Sequence, residues 1–214
     1  MAIAFDGTGD YYAYGTRTPS LGYPITMCCW INSASTGVGM RAASFRISSA
    51  ASQALDIGKN TSNQPLAGIF ATTGSSAVGT TAMAANTWYH LTGVFTANDA
   101  RRVYLNGIQE GTDTAARGLT TDTYNRPYAG TRFRASSDLE WNGRLQEFAI
   151  WDVELSNAEI EALAEGVSPK LIRPSDLYIY SPLIQSNIEI KQGGAVTTSG
   201  TPAVYTTSSP RRSG

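Results

Sequence analysis

The chain has 214 residues, of which 42% are hydrophobic, 15% are charged and 21 are glycine. This length can bury a substantial core without disulfides or metal, and the composition favours short strands with many turns. The formal net charge of -1, with basic residues scattered along the chain, argues against nucleic-acid binding as the main function. No apolar stretch reaches the roughly 18 residues that a membrane-spanning helix needs, so no membrane partner is expected.

Alternating apolar residues predict several short strands in the first third of the chain. Ile3 and Phe5 alternate in the first strand, and residues 25–31 carry apolar side chains on both faces, which predicts a strand deep in a sandwich. The N-terminal residues 1–6 have neither the basic region nor the apolar region of a secretory signal, so synthesis in a cytoplasm is expected. Further strands are predicted at residues 43–47, 54–57 and 66–71.

The pattern is clearest in residues 86–108, where it predicts three strands. Side chains alternate between two faces through residues 88–95 and again through 103–105, as the two-residue period of a strand requires. Asn106 and Gly107 tolerate positive φ and predict a tight hairpin turn. An antiparallel meander is therefore expected.

Polar stretches flank this meander. Residues 72–85 and 110–125 show no strong apolar periodicity and are predicted to be surface loops. Another strand is predicted at residues 128–133.

A longer strand and a helix are predicted towards the end of this pattern. The apolar parity slips within residues 141–151, and a β-bulge near Gln146 would restore it. Ser156 and Glu159 have the spacing of a capping box, which predicts a helix start, and Gly166 is expected to end the helix.

The composition changes after Gly166, where serine, threonine and proline become frequent. We therefore assign residues 1–167 to one β-rich domain and residues 168–214 to a C-terminal extension. An apolar strand in the extension has no hairpin partner of its own, and an unpaired strand invites pairing with another chain. The residues expected to mediate assembly are Leu177, Tyr178, Ile179 and Tyr180.

Two sequence motifs carry a resemblance to a known family. Residues 86–95 (NTWYHLTGVF) followed by 102–107 (RVYLNG) resemble the central hairpin of laminin-G-like, concanavalin A-like jelly rolls. Residues 141–151 and 155–160 resemble that family's last core strand and the short helix after it. The resemblance covers residues 2–165 and implies an all-β, two-sheet antiparallel sandwich with one short helix, but no particular activity. In the extension, residues 168–174 (SPKLIRP) precede an apolar strand that ends in Pro182 and Leu183, and this arrangement resembles the extension of laminin-G-like proteins encoded by bacteriophages and prophages.

The residues that catalysis would need are not in a recognisable pattern. Glucanases of this superfamily present paired carboxylates as Glu-x-Asp-x-x-Glu, and this motif is absent from the sequence. His90 is the sole histidine and lies within a strand pattern, so a structural role is expected. Cys28 and Cys29 are strand neighbours and are expected to be reduced core residues. The carboxylates that fail to reproduce the motif are Asp138, Glu140, Glu147 and Asp152.

The resemblance also raises the question of calcium, because pentraxins and many laminin-G domains bind it through loop oxygens. Where the acidic ligands would fall, this sequence has Arg132 and Arg134, which would repel a cation. We therefore expect no cofactor, although Asp138, Glu140 and Asn142 leave a calcium site open as an alternative. The candidate ligand-binding residues of this loop are Arg132, Arg134, Asp138, Glu140 and Trp141.

Tyrosines near the N-terminus allow a second interpretation in terms of sugars. Aromatic faces can stack on carbohydrate, but tyrosines at a sandwich rim more commonly pack against the core, which is the interpretation preferred here. The residues concerned are Tyr11, Tyr12 and Tyr14.

These observations favour a non-enzymatic virion structural protein of a bacteriophage, most simply a capsid decoration or tail-associated protein. Such a protein would be made in the host cytoplasm, form a homo-oligomer and contact other virion proteins such as the major capsid protein. The alternative is a glycan-binding lectin module that recognises a host or another surface. A degenerate glycosidase is a third hypothesis.

Overall fold

The computed structural model describes residues 1–47, 53–71, 74–117, 123–133, 137–184 and 196–206. Two antiparallel sheets pack face to face in these ranges, with one short α-helix and a small two-stranded ribbon. The first strands are β1 (Ala2–Asp6), β2 (Tyr11–Ala13), β3 (Ile25–Ser33), β4 (Met40–Arg46), β5 (Ala54–Lys59), β6 (Pro65–Phe70), β7 (Gly74–Val78), β8 (Trp88–Ala97) and β9 (Ala100–Leu105).

The second half of the chain adds further strands and the helix. The strands are β10 (Ile108–Asp113), β11 (Arg126–Ala129), β12 (Arg132–Phe133), β13 (Ser137–Asp138), β14 (Asn142–Trp151), β15 (Leu177–Ser181), β16 (Thr197–Ser199) and β17 (Ala203–Tyr205). Helix α1 spans Asn157–Ala164, and a single 3-10 turn spans Pro169–Leu171. The predicted all-β jelly-roll sandwich with one short helix is thus confirmed.

The order of the strands defines the two layers. Sheet A runs β10-β9-β8-β3-β14-β1-β17, and β15 also pairs with β14. Sheet B runs β16-β2-β11-β4-β5-β6-β7, while β12 and β13 form the ribbon. The inner faces of the sheets enclose the main core, whose larger members include Phe5, Tyr12, Phe45, Leu91, Phe95, Trp141 and Phe148.

The central meander is confirmed in register and in facing. Leu91 of β8 lies opposite Cys29 of β3, and both side chains belong to the main core. The next pair, His90 opposite Trp30, points to the outer face of sheet A because side chains alternate along a strand. The turn after β9 places Asn106 at φ 51°, as the hairpin prediction requires.

The predicted bulge in β14 is also present. The register with β3 shifts between Gln146 and Ala149, and Glu147 takes a positive φ of 56°. The bulge shifts the alternation of inward-facing and outward-facing side chains along β14, so that Leu145 and Phe148 both reach the main core.

Helix α1 covers part of the outer face of sheet A. Its N-terminus is the predicted capping box, in which Ser156 caps the backbone at Glu159 and the Glu159 side chain returns to Ser156. Ile160 and Leu163 face the sheet and are buried. They form a second apolar cluster whose other buried members are Cys28, Val94, Tyr104, Ala149, Trp151, Leu155, Leu177 and Tyr180. Among the described residues, no helix is long and apolar enough to cross a membrane.

The apolar strand of the extension is paired, so the expectation that it lacks a partner is wrong. β14 is longer than the part of it that β1 covers, and β15 pairs with the remainder, placing Ile179 opposite Ile150. Tyr178 and Ile179 join the main core, while Leu177 and Tyr180 join the second cluster. Since these four side chains are buried in their own domain, β15 is not the free strand on which the assembly prediction was based.

Two segments predicted to be loops contain strands. β7 lies within residues 72–85 and directs only Ala77 into the core, so its sequence lacks an apolar period. β10 continues from Ile108 to Asp113 as an edge strand in which no residue is buried. Conversely, the single strand predicted at residues 128–133 is split into β11 and β12 around Gly130, which has a φ of 89°.

Candidate functional site

A groove of about 510 Å³ opens on the outer face of sheet A, beside helix α1. We call it the tryptophan groove, because two indole side chains form part of its lining. Its lining residues are Trp30, Trp88, Asn106, Gly107, Ile108, Glu161, Ala164 and Glu165. This volume lies within the range of about 300 to 1,000 Å³ that is typical of small-molecule sites.

The indoles are positioned by the pairing of β3 with β8. Trp88 lies opposite Asn32, and Trp30 lies two residues away opposite His90, so the indoles are diagonal neighbours on one face. Trp30 is 8% exposed and packs edge to face against His90, with ring centroids 5.2 Å apart. Trp88 is half-buried and offers the more accessible aromatic surface.

The walls of the groove are the β9–β10 turn and the last turns of α1. The Asn106 side-chain oxygen accepts a hydrogen bond of 2.9 Å from the His90 backbone N–H, which fixes the turn to β8. A Cβ added to Gly107 would lie 3.0 Å from Cα of Glu161, so only glycine permits this close approach of turn and helix. Ile108, at the rim, is 70% exposed.

A small polar cavity of about 10 Å³ adjoins the groove behind Trp30. It is lined by His90, Gln146 and Glu147, and its size suits a single water molecule. Burial lowers the pKa of His90 to about 3, so the imidazole is neutral at physiological pH. The Glu147 carboxylate accepts a 2.6 Å hydrogen bond from the Tyr180 hydroxyl and is only 7% exposed. His90 therefore has the predicted structural setting, and Glu147 is shielded from solvent.

Two of the loop residues predicted as ligands, Arg132 and Asp138, lie on the opposite side of the molecule, against the outer face of sheet B. Arg132 donates two hydrogen bonds to Asp138, of 3.0 and 2.9 Å, and its guanidinium carbon lies 4.4 Å from the ring centroid of Phe70. Asp56 of β5 lies 3.8 Å from Arg132 and 3.0 Å from Arg41. Burial works against the charge of Arg132, but Asp138 and Asp56 outweigh it and raise its pKa. Arg132 and Asp138 thus close the ribbon onto the sheet.

The other predicted ligand residues are dispersed. The Glu140 carboxylate accepts a 2.8 Å hydrogen bond from the Gly9 backbone N–H and so secures the β1–β2 turn. Trp141 is completely buried in the main core. Arg134 lies outside the described residues. The structure therefore brings Arg132 and Asp138 together but does not assemble the four described candidates into one site.

The N-terminal tyrosines divide between core and surface. Tyr12 and Tyr14 are buried in the main core, in line with the packing interpretation. Tyr11 is half-buried and makes edge-to-face contacts with Tyr128 and Phe133, which stack with centroids 4.7 Å apart. These rings mainly contact one another, which suits a packed surface cluster.

The carboxylates considered for catalysis are held in separate environments. Asp138 pairs with Arg132, Glu140 holds the β1–β2 turn, and Glu147 is buried and hydrogen-bonded to Tyr180. Within the described ranges, no group of three or more His, Cys, Asp or Glu side chains is arranged to hold a metal ion. The geometry supplies neither the carboxylate pair of a retaining glycosidase nor a metal cluster in those ranges.

Calcium independence is a prediction that a melting experiment can check. Both carboxylate oxygens of Asp138 bond to Arg132, so a cation would have to displace a buried guanidinium. We expect the melting temperature to be the same in calcium and in excess chelator. A rise of several degrees in calcium would contradict this, since a ligand at 100 times its dissociation constant adds about 2.7 kcal/mol.

The tryptophan groove is the feature that sequence reasoning missed. Strand parity does place Trp30 and Trp88 on the faces that do not carry the main core. Strand parity alone does not reveal that β3 pairs with β8. These strands lie more than fifty residues apart in sequence, and their pairing brings the two indoles together.

Comparison with solved structures shows the fold. A heptameric SAP-like pentraxin from Limulus polyphemus aligns with a TM-score of 0.65 and 16% identity, covering 92% of this chain and 94% of that one. A putative carbohydrate-binding protein from Bacteroides ovatus aligns with a TM-score of 0.64 and 15% identity, over 94% of this chain and 60% of that one. The sialidase CBM40 of Ruminococcus gnavus, bound to α2,3-sialyllactose, aligns with a TM-score of 0.58 and 12% identity, over 76% and 96% of the two chains.

Comparison of the sequence with curated proteins gave no match. A family model does match, over residues 6–161, and it describes laminin-G-like members of the concanavalin A-like lectin/glucanase superfamily. The match covers most of the chain and agrees with the observed two-sheet sandwich. The chain belongs to the laminin-G-like branch of the concanavalin A-like lectin/glucanase superfamily.

Proposed function

We propose that the protein is a non-catalytic carbohydrate-binding module and that the tryptophan groove is its ligand site. The observation that carries this proposal is the half-buried Trp88 beside Trp30 in an open groove of about 510 Å³. Indoles offer flat apolar surfaces on which the C–H faces of a sugar ring can stack. The carbohydrate-binding proteins of similar fold give the proposal further support.

The polar groups of the groove suit hydroxyl recognition. Asn106 contributes an amide, and Glu161 and Glu165 contribute exposed carboxylates on the helix wall. Sugar hydroxyls can donate to these oxygens, and hydrogen bonds to charged groups are the stronger kind. Trp88 would then provide contact area while Asn106 and the carboxylates select orientation.

The charge of the groove favours neutral glycans over anionic ones. Glu161 and Glu165 are the ionisable residues of its lining, and both are acidic. An acidic sugar would be placed beside like charges, which disfavours binding. Neutral oligosaccharides are therefore the expected ligands, in contrast to the sialyllactose bound by the Ruminococcus gnavus module.

A glycan array followed by calorimetry tests the proposal. Wild-type protein should bind at least one neutral oligosaccharide, and Trp88→Ala should weaken that binding about tenfold or more, which corresponds to about 1.4 kcal/mol. The matched control is Leu171→Ala, because Leu171 is 74% exposed and lies outside the groove lining. This control should bind like wild type.

Two results would overturn the proposal: no binding to any glycan on the array, or unchanged affinity in a folded Trp88→Ala variant. The virion structural role predicted from the sequence is then the next hypothesis to test, by asking whether the chain copurifies with phage particles. Two of the similar solved structures are a putative carbohydrate-binding protein and a sialidase CBM40 bound to α2,3-sialyllactose. The glycan-binding hypothesis is therefore the better supported of the two.

A further inference from the structure

The last described segment of the chain closes one side of the sandwich. We call residues 197–205, which contain β16 and β17, the C-terminal clip. β16 pairs with β2 at the edge of sheet B, and β17 pairs with β1 at the edge of sheet A. The clip therefore runs antiparallel to residues 2–13 and follows them from one sheet to the other.

Asp10 fixes the clip where it crosses between the sheets. One carboxylate oxygen accepts a 2.7 Å hydrogen bond from the Thr201 backbone N–H, and the other accepts one of 3.1 Å from Asp6. Asp10 is 3% exposed, although the clip itself lies at the surface. Gly200 has a φ of 68°, and a Cβ there would lie 2.0 Å from the Asp10 oxygen, so the crossing is fitted closely to this side chain.

The clip buries little apolar surface, whereas β1 and β2, the strands with which it pairs, contribute side chains to the main core. All three residues of β17 are exposed, and Val204 and Tyr205 are the large apolar ones among them. Ile3, the cross-strand partner of Val204, is completely buried in the main core and so anchors the β1 edge. Strands with few buried contacts open at low free energy, while core strands do not. Opening the clip therefore leaves a formed sheet edge that needs a partner strand.

We propose that the C-terminal clip is an exchangeable assembly element, which pairs with β1 and β2 of a second copy of this chain as well as with its own. A clip from another copy offers the same sequence, so it can repeat every hydrogen bond of the closed form, including Thr201 to Asp10. Eleven residues separate Ile184 from Val196, and such a length spans up to about 40 Å when extended. This reach permits pairing with a neighbouring molecule.

Cysteine cross-linking in full-length chains tests the exchange. Ala4 and Ala203 are direct partners across β1 and β17, so one chain carries Ala4→Cys and another carries Ala203→Cys. After the two are mixed and oxidised, a covalent heterodimer is expected, with a yield that rises with protein concentration. The native Cys28 and Cys29 do not interfere, because both are fully buried and burial raises the pKa of each thiol.

Two controls define the result. Both substitutions in one chain should give an internal disulfide, which locks the clip in its closed form. Ala4→Cys mixed with Thr198→Cys should give no specific product, since Thr198 pairs with Tyr12 in the other sheet.

Asp10→Ala removes the acceptor for Thr201 and should speed heterodimer formation about tenfold, the size expected for a hydrogen bond to a charged group.

The proposal is overturned if the double-cysteine chain closes its internal bridge while the mixed single variants yield no heterodimer. Should the bridge not close, the same question is answered by capture. A tagged full-length chain is incubated with a chain that ends at Val196 and therefore has a vacant β1 edge. Specific capture supports exchange, and failure to capture a folded truncated chain contradicts it. Neither outcome depends on glycan binding.

Discussion

A chain that ends at Val167 is expected to lose its cooperative fold. Truncation removes β15, and with it Tyr178 and Ile179 from the main core and Leu177 and Tyr180 from the second cluster. Losing a single large buried side chain typically costs about 2 to 5 kcal/mol, and whole domains are stable by only about 5 to 15 kcal/mol. The expected result is insoluble protein, or a circular dichroism melt without a cooperative transition.

The matched control is a chain that ends at Val196, which keeps β15 and loses the C-terminal clip together with residues 206–214. This chain should remain soluble and melt cooperatively, because the clip buries little apolar surface. A chain ending at Val167 that is soluble and melts like the full-length protein would support the boundary predicted from the sequence. It would also mean that β15 contributes nothing to the stability of residues 1–167.

Replacement of Trp151 by alanine should be the most damaging single substitution. Trp151 is completely buried under helix α1, and its indole N–H donates a 2.8 Å hydrogen bond to the carbonyl of Ile172 in the C-terminal extension. The variant creates a large cavity and leaves that carbonyl without this partner, so a loss of about 3 to 5 kcal/mol in unfolding free energy is expected. Denaturant titration of the two proteins measures the difference.

Trp151→Phe separates packing from hydrogen bonding. It keeps most of the aromatic surface and loses only the N–H donor, so a cost of about 1 to 3 kcal/mol is expected. If Trp151→Ala and wild type unfold at the same denaturant concentration, Trp151 does not hold the C-terminal extension against sheet A. Leu91→Ala should also be costly, about 2 to 5 kcal/mol, whereas Trp88→Ala should destabilise the protein less, because Trp88 is only half-buried.

The fold was largely predictable because its signals are local. Alternation in β8, the turn at Asn106, the parity slip at Gln146 and the capping box at Ser156 each involve residues close in sequence, and all four are present. β7 escaped prediction because a strand that contributes only Ala77 to the core has no apolar period. Edge strands need less buried surface, so composition indicates them poorly.

The pairing of β15 was not predictable from the same kind of signal. Its partner, β14, precedes it by about thirty residues, with a helix and a 3-10 turn between them. The apolar side chains of β15 are equally consistent with burial in the chain's own domain and with burial against another chain. Burial in the chain's own domain follows from the three-dimensional structure, in which β1 pairs with only the first part of β14 and leaves the rest free to pair with β15.

The candidate site shows the same division between local and long-range information. Arg132 and Asp138 were singled out as loop residues. They lie only six residues apart in sequence and form an ion pair across the β12–β13 ribbon. The tryptophan groove instead combines three regions of the chain: β3, the start of β8 with the β9–β10 turn, and helix α1. No spacing rule connects these regions, so sequence patterns could not reveal the groove.

Indole resonances offer the most direct test of the glycan-binding account. The chain has 4 tryptophans, so a two-dimensional nitrogen–proton spectrum should resolve four indole N–H signals. On titration with the neutral oligosaccharide that binds best on the array, the signals of Trp88 and Trp30 should shift together. Those of Trp141 and Trp151, which are completely buried outside the groove, should stay in place. Binding without a shift of the Trp88 signal would contradict the assignment of the tryptophan groove, and the absence of binding would contradict the proposed function itself.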